Sequence, residues 1–228
     1  DGLTVNLSLL ENQNGSATIT VTATDDSSAT VTDTFIVTVN PINDNPVLTD
    51  IGAQSVNEDT AKVILLTATD IDEDDLTYTA TSTESNVTAS VSNDTLTLTP
   101  ADNWNGTTDI TVTVTDDGTG TLTDTETFTV TINAINDAPV ISIMDSVTID
   151  EDNFATVNLS ASDIEGDGLT YSVSSAESNV TATVSNDTLT MTLAENWNGT
   201  AEITVFVSDG FLSDTSSFVL TVNPVNDA

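Results

Sequence analysis

Apolar and polar residues alternate along most of this chain with a period of two. In residues 108–115, threonines separate Ile110, Val112 and Val114, and residues 122–132 show the same pattern around Phe128. This alternation is typical of a β-strand with one buried and one solvent-facing side. About one residue in five is Thr, which together with Val favours strands, and no stretch has a helical period. The sequence therefore predicts an all-β protein.

Several motifs recur along the chain at a fixed spacing. Asn43-Asp44-Asn45-Pro46 returns as Asn136-Asp137-Ala138-Pro139 and again as Asn226-Asp227-Ala228, at intervals of 93 and 90 residues. Residues 103–107, which contain Trp104, return at 196–200 around Trp197. So many matches in one register indicate tandem repeats.

Each complete repeat is expected to be a small β-sandwich. The predicted strands of the first one lie near 47–56, 61–69, 76–82, 86–92, 94–99, 108–115 and 122–132. Turn-forming Asp, Asn and Gly residues separate them, and seven short strands of this kind are typical of an immunoglobulin-like Greek-key sandwich. Trp104 and Trp197 are interpreted as core residues rather than ligand platforms, since each stands beside a turn and before a buried strand.

The repeats define three predicted domains. Residues 44–136 and 137–228 are complete repeats, and residues 1–43 correspond to the C-terminal half of another. About three strands are expected in residues 1–40, with one apolar face formed by Ile19, Val21, Phe35, Val37 and Val39. Half a sandwich cannot bury such a face. We predict that it packs against strands from upstream sequence or from another chain.

The composition excludes whole classes of function. The 228 residues carry 37 Asp and Glu against one basic residue, Lys62, for a formal net charge of −36, and they include no His and no Cys. Nucleic acids and anionic membranes bind through Lys and Arg, so neither is an expected partner. A Ser-His triad, a Cys nucleophile and a His or thiolate zinc site cannot be built.

The acidic residues cluster at predicted strand ends and linkers. Asp70, Asp72, Asp74 and Asp75 follow one strand, and residues 163–167 are the equivalent segment of the next repeat. Like charges this close repel, because screening at physiological salt acts only beyond about 8 Å. A divalent cation with oxygen ligands would offset the repulsion, and Ca²⁺ tolerates irregular loops best. A purely solvated acidic surface, as in halophilic proteins, is the alternative.

An EF-hand does not explain this cluster. The spacing Asp70-x-Asp72-x-Asp74 suits the start of such a loop, but Thr81 and Ser174 stand at the twelfth position, which needs Glu. Flanking helices are not predicted either. The acids therefore indicate a different type of cation site.

The motifs together resemble the cadherin-like tandem repeats of very large bacterial surface proteins and adhesins. Asn43-Asp44-Asn45-Pro46 is similar to the linker motif of that family, residues 68–72 resemble its Asp-x-Asp motif, and Glu58 resembles its early Glu. The sequence also departs from the family. Pro41 stands where the linker usually starts with Asp, and the Asp-Arg-Glu motif within the repeat is missing.

The resemblance implies Ca²⁺ ligands at the junctions between repeats. At the first junction the implied ligands are Glu11, Asn43, Asp44, Asn45, Asp70, Asp72 and Asp116. At the second they are Glu58, Asp102, Asn136, Asp137, Asp163, Glu165 and Asp209. By the same correspondence Glu151, Glu195, Asn226 and Asp227 are candidates at the C-terminal end of the last repeat.

The implied function is an extracellular, cell-surface spacer or adhesive stalk, built from sandwiches arranged end to end and stiffened by calcium. Its expected partners are neighbouring repeats and other copies of itself, with surface glycans bound through other domains of a parent protein. A self-assembling filament or surface layer is the main alternative, and a carbohydrate-binding module is a weaker one. An enzyme is not expected, because the same acids recur at every linker.

Overall fold

The computed structural model describes residues 4–226 and confirms the all-β fold, with strands and no helix in that range. The chain divides into two compact units, Asp1–Ala134 and Ile135–Ala228. The boundary predicted at residues 43 and 44, between the half repeat and the first complete repeat, stays a prediction.

Unit 1 holds a hairpin followed by a complete sandwich. The hairpin strands are β1 (Gly15–Thr24) and β2 (Thr30–Val39). The sandwich strands are β3 (Val47–Leu48), β4 (Gln54–Asn57), β5 (Lys62–Leu65), β6 (Ala68–Thr69), β7 (Leu76–Ser82), β8 (Val87–Ser92), β9 (Thr95–Pro100), β10 (Gly106–Asp116) and β11 (Thr123–Asn133). One sheet has the order β4-β11-β10-β7, with β4 parallel to β11, and the other has the order β5-β9-β8.

Unit 2 repeats this architecture. Its strands are β12 (Val140–Ile141), β13 (Val147–Asp150), β14 (Phe154–Asn158), β15 (Ala161–Ser162), β16 (Thr170–Ser175), β17 (Val180–Ser185), β18 (Thr188–Leu193), β19 (Gly199–Ser208) and β20 (Ser213–Asn223). The sheets have the orders β13-β20-β19-β16 and β14-β18-β17. The two repeats therefore share one fold, as their shared motifs predicted.

The alternation of apolar and polar residues places the cores. Ile110, Val112 and Val114 of β10 are completely buried against Leu96 and Leu98 of the opposite sheet. The intervening threonines face outward, because successive side chains of a strand point to opposite faces. Unit 2 has an equivalent core on β18, β19 and β20. Each fully buried aliphatic side chain contributes roughly 1.5–3 kcal/mol to folding.

Two of the predicted strands are divided in the structure. The segment predicted at 47–56 forms β3 and β4, and the segment at 61–69 forms β5 and β6. The division arises because the chain changes partners, since β3 pairs with β6, whereas β4 pairs with β11. At the break, Gly52 has a φ of 63°, and the backbone N–H groups of Ile51 and Gly52 donate to the Glu126 carboxylate.

The half repeat differs from its prediction, since two strands rather than three are found in its described part. Residues 5–9 align with the core strand β9, but they lack neighbours of the β5 and β8 type and so form no ladder. The apolar face of the hairpin is only partly covered, with Val21 and Phe35 38% and 42% exposed. What covers that face stays a prediction.

Gly106 packs closely against the ring of Trp104. A substitution at Gly106 therefore tests the assignment of Trp104 to the core. The partly buried Trp104 packs against the core of unit 1, and Gly106 has a φ of 149°. A Cβ at Gly106 would lie 3.0 Å from Trp104 Cζ2. We expect Gly106→Ala to destabilise unit 1 by about 1–3 kcal/mol, through backbone strain and displacement of the ring. Urea unfolding followed by Trp fluorescence measures this, and an unchanged midpoint would contradict it.

Candidate metal sites at the N-terminal ends of the repeats

The predicted ligands of unit 1 gather where several strands and the linker meet. Asp70 directly follows β6, and Asp116 is the last residue of β10. The linker residues Asn43 and Asp44 donate hydrogen bonds to Asp116 and Asp72, respectively, at this end of the sandwich. We call this group, with Asp72 and Asp74, the unit 1 acidic end.

Three of these carboxylates form a tight cluster. Oxygen atoms of Asp70, Asp72 and Asp74 all lie within 4.8 Å of one another. Asp70 Oδ1 accepts the backbone N–H groups of Asp72 at 2.8 Å and of Asp74 at 3.4 Å, which shapes the turn. Asp70 Oδ2 is buried and has no hydrogen-bond partner. The turn therefore presents a desolvated carboxylate oxygen whose burial costs free energy until a cation or a hydrogen-bond donor reaches it.

Linker residues extend the cluster. The Asp44 backbone N–H donates to Asp72 Oδ2 at 2.8 Å, and Asn43 Nδ2 donates to Asp116 Oδ2 at 3.0 Å. Asp116 is 3% exposed, and its Oδ1 accepts the backbone N–H groups of Gly118 and Leu122. Because the amide nitrogen of Asn43 is used in this way, its carbonyl oxygen is left to face the acids.

Gly118 has no side chain and so leaves room for the side chains of Asn43 and Asp74 at the unit 1 acidic end. A Cβ at Gly118 would overlap both Asn43 Oδ1 and Asp74 Oδ2. These two oxygens therefore occupy the same small space beside the Gly118 Cα. This places a neutral oxygen ligand next to a charged one, which is the mixture that Ca²⁺ prefers in proteins.

The electrostatics of the cluster are unfavourable without a cation. Partial desolvation raises the pKa of Asp74, and the charges of Asp70, Asp117, Asp116 and Asp72 raise it further. A raised pKa means that the ionised carboxylate is destabilised in the folded protein. A bound divalent cation would reverse that effect.

Unit 2 has an equivalent acidic end. Asn136 Nδ2 donates to Asp209 Oδ2 at 2.8 Å, and this bond, followed by those from the Phe211 and Leu212 backbone N–H groups, lowers the pKa of Asp209. The Asp137 backbone N–H donates to Glu165 Oε2 at 3.4 Å.

The acidic end of unit 2 also contains buried carboxylate oxygens without hydrogen-bond partners. Asp163 Oδ1 accepts the Asp167 backbone N–H at 3.0 Å, while Asp163 Oδ2 and Asp137 Oδ2 are buried without hydrogen-bond partners. The two acidic ends therefore share a pattern in which a backbone-bonded aspartate turns its other oxygen inward. Asp137, Asp163, Glu165 and Asp209 lie within this one unit, as the repeat alignment implied.

Other predicted ligands lie at the opposite end of each sandwich. In unit 1 the Glu58 backbone N–H donates to the Asn133 carbonyl, and Asp102 is exposed in a loop whose Asn103 N–H donates to Asp59. Whether Glu58 and Asp102 share a site with residues of unit 2 stays a prediction.

The C-terminal end of unit 2 is built like the end of unit 1 that contains Glu58. Glu151 is 4% exposed, and its carboxylate accepts the Val225 backbone N–H and the Asn198 side-chain amide. Glu195 and Asn226 are exposed, and Asp227 lies outside the described residues. Both carboxylate oxygens of Glu151 thus accept from protein donors, whereas Asp70, Asp137 and Asp163 each keep one buried oxygen without a partner.

Residues of the half repeat line cavities at the unit 1 acidic end. Glu11 is exposed in the turn before β1, whereas Asn12 and Asn14 line cavities together with Asp44 and Asp72. Asn45 donates its amide to the Thr123 carbonyl. The role of Glu11 as a ligand stays a prediction.

Asp74 and Gly118 were missed as parts of the candidate site. The spacing Asp70-x-Asp72-x-Asp74 indicates Asp74, but the resemblance to cadherin-like repeats implies only Asp70 and Asp72 from this segment. Gly118 had no signal, because a glycine after Asp117 is common in turns. Asn12 and Asn14 stand close to the acidic Glu11 in the sequence, and the family resemblance implied Glu11 instead of them.

The unit 1 acidic end fits a hard divalent cation. Ca²⁺ takes six to eight oxygen ligands, from carboxylates, amide carbonyls and backbone carbonyls. The unit 1 end offers the Asn43 amide oxygen and carboxylates from Asp70, Asp72 and Asp74, and one oxygen of the Asp70 carboxylate is buried without a partner. Phosphate or another anion does not fit, since carboxylates surround the space.

Comparisons with known proteins place the chain in a family. The bacterial Ig domain family matches residues 43–133 and 136–223, which are the two complete repeats. No curated protein sequence matches the chain. The described residues contain no helix long and apolar enough to cross a membrane.

Solved structures of cadherins share the fold. Extracellular cadherin domains 1–5 of protocadherin gamma B2 are 20% identical, with a TM-score of 0.51, over 93% of this chain and 46% of that one. The protocadherin gamma B7 cis-dimer structure, domains 3–6, is 20% identical, with a TM-score of 0.49, over 91% of this chain and 56% of that one.

An enzyme is also among the similar structures. An endo-fucoidan hydrolase of glycoside hydrolase family 107 is 19% identical, with a TM-score of 0.36, over 94% of this chain and 35% of that one. The chain spans 35–56% of the length of these three structures. The protocadherin gamma B2 structure supports the sandwich fold, and none of the three supports an activity. Two consecutive family matches cover most of the sequence, and the chain belongs to the bacterial Ig domain family.

Proposed function

We propose that this chain is a section of an extracellular repeat array whose joints are stiffened by Ca²⁺. Bacterial Ig-like and cadherin-like folds are typical of extracellular repeat proteins, and the cadherin resemblance of the motifs supports the same role. The observation that carries the calcium part is the set of buried, unpartnered carboxylate oxygens on Asp70, Asp137 and Asp163. Each lies in the loop region at the N-terminal end of a repeat.

The residues that would hold the ion in unit 2 are Asp137, Asp163, Glu165 and Asp209, with the Asn136 carbonyl oxygen. Asn136 already orients Asp209 by donating to it, and the Asp137 N–H donates to Glu165. The bound ion would neutralise the carboxylates and bind linker and sandwich together. The protein's own part is to hold these oxygens in place before the ion arrives, which lowers the entropy lost on binding.

Stiffening follows from where the ligands come from in the chain. Asn136 and Asp137 belong to the linker, whereas Asp163 and Asp209 belong to the sandwich that follows it. An ion shared by both would fix the linker to its repeat. In a tandem array, the interactions between neighbouring repeats then determine the stiffness of the whole.

Small-angle X-ray scattering on the full chain tests this role. With Ca²⁺ we expect a longer maximum dimension and a narrower distribution of distances than with chelator. Asp163→Ala should shift the scattering in Ca²⁺ toward that of the chelated form, because it loses a ligand of the unit 2 end but leaves the unit 1 end and the core of unit 2 intact. Glu202→Ala, which removes one exposed acid from the face of β19, is the matched control and should behave as the wild type. Identical scattering with and without Ca²⁺ would leave a plain acidic spacer.

A further inference from the structure

The two acidic ends differ in the loop that follows their aspartates Asp116 and Asp209. Oδ1 of each aspartate accepts the backbone N–H of the residue two positions later, which is Gly118 in unit 1 and Phe211 in unit 2. The same oxygen also accepts the N–H of a leucine in both units. Gly118 and Phe211 therefore hold equivalent positions in the two loops.

Gly118 provides space rather than an unusual backbone conformation. Its φ lies outside the left-handed region, so an alanine could adopt the same backbone. A Cβ at this position would nevertheless overlap Asn43 Oδ1 and Asp74 Oδ2. The missing side chain thus lets Asp74 join Asp70 and Asp72, so that oxygens of the three carboxylates lie within 4.8 Å of one another.

The counterpart of Asp74 in unit 2 is Asp167, whose side chain is exposed. The Asp167 backbone N–H donates to Asp163 Oδ1. Asp74 and Asp70 make the same bond in unit 1, so the two turns are built alike. Among the described residues, however, the cluster in unit 1 is the only group of three acids whose oxygens lie this close.

Phe211 accounts for this difference between the two ends. It places a Cβ where Gly118 leaves a gap, so that an aspartate oxygen and an asparagine oxygen cannot share that space. Its side chain has no ligand atom, and the residue is 86% exposed. The buried oxygens without partners in unit 2 belong instead to Asp137, in the linker, and to Asp163.

We propose that Gly118 makes the unit 1 acidic end the higher-affinity calcium site of the two, an inference that rests on the proposed function. Affinity for Ca²⁺ depends on the number of charged ligands and on the rigidity of the site. Gly118 adds the Asp74 carboxylate to the site, next to the buried and unpartnered Oδ2 of Asp70. Backbone N–H groups bonded to Asp70 Oδ1 hold this turn in place before an ion arrives.

The two ends would then fill in order as the concentration of Ca²⁺ rises. The unit 1 end would bind first and fix residues 43–45 of its linker to the sandwich. The unit 2 end would bind at a higher concentration and fix residues 136 and 137. The array would therefore respond to calcium in two steps rather than one.

A calcium titration of the full chain, followed by NMR, measures this order. The backbone amide signals of Asp72 and Gly118 report on the unit 1 end, and those of Phe211 and Leu212 report on the unit 2 end. CaCl₂ is added in the presence of a competing chelator of known affinity, which sets the free Ca²⁺ concentration. We expect a Kd at least tenfold lower at the unit 1 end than at the unit 2 end.

Two glycine variants test whether Gly118 is the cause. Gly118→Ala should raise the Kd of the unit 1 end at least tenfold and leave that of the unit 2 end unchanged, because the new Cβ displaces Asp74 or Asn43. Gly168→Ala is the matched control. A Cβ at Gly168 meets nothing within 4 Å, and its φ also lies outside the left-handed region, so neither Kd should change. The wild-type order is measured without any substitution and does not depend on how a variant folds.

The possible failures are distinguishable. Equal Kd values at the two ends, or a lower Kd at the unit 2 end, would overturn the inference and leave calcium-stiffened joints in place. An unchanged Kd in Gly118→Ala would overturn the role of Gly118. The absence of saturable binding at either end would overturn the proposed function together with the inference.

Discussion

Calcium at one hundred times its dissociation constant is expected to raise the melting temperature of unit 2 by roughly 10–20 °C. One site binding only the folded state contributes about 2.7 kcal/mol at that concentration. A domain of this size gains roughly 4–8 °C per kcal/mol. The orphaned oxygens of Asp137 and Asp163 are the reason to expect a site that exists only in the folded protein.

A comparison with NaCl distinguishes specific binding of Ca²⁺ from general screening of the carboxylates. A formal charge of −36 means that any salt will relieve some repulsion, because screening acts on all exposed carboxylates. At equal ionic strength the two salts screen the carboxylates to a similar extent, whereas only Ca²⁺ would add the stabilisation of a specific site. Calorimetric melting in CaCl₂ and in NaCl of equal ionic strength measures both. Equal melting curves would support the solvated acidic surface and contradict a specific site.

Asp74→Asn is expected to have opposite effects on the metal-free and the metal-bound protein. Without Ca²⁺ the variant should melt at a higher temperature, because the charge removed is one that burial and Asp70, Asp117, Asp116 and Asp72 destabilise. With Ca²⁺ it should bind the ion at least about tenfold more weakly, a loss that even partners outside the ligand shell can cause. The two melting curves should therefore cross as Ca²⁺ is added.

Asp75→Asn is the matched control for this crossing. It removes the same charge one residue away, from an exposed side chain that is not part of the cluster of Asp70, Asp72 and Asp74. It should change calcium affinity little. A fall in affinity that is equal for the two variants would show that only the general field of the acidic surface matters, and that Asp74 is not a ligand.

Much of the fold could be predicted from the sequence because it is encoded locally. The alternation around Val112 requires a strand with one buried face, and the recurrence of Asn43-Asp44 and the Trp104 motif requires repeated domains. The half repeat was also recognisable, because its residues match β10 and β11 one for one. The exposed apolar face follows directly from that match.

The strand boundaries were harder to predict from the sequence, because they depend on which strands pair with each other. Residues 47–56 have a continuous strand pattern, yet β3 pairs with β6 and β4 pairs with β11. The break between them is stabilised by Glu126, which is distant in sequence. Local propensity does not indicate which partner a strand will take, so it does not indicate where the chain must change sheets.

The sequence by itself determined that the chain is an acidic all-β tandem repeat and which loops carry its candidate ligands. Only the tertiary structure decided how these ligands differ. It showed that Asp70, Asp137 and Asp163 each have a buried oxygen without a partner, while the equally acidic Glu151 is bonded to Val225 and Asn198. It also brought Asp74 and Asn43 together beside Gly118. The reason is physical, since burial and hydrogen-bond satisfaction depend on groups far apart in sequence, and carboxylates of identical chemistry acquire different roles only through their neighbours.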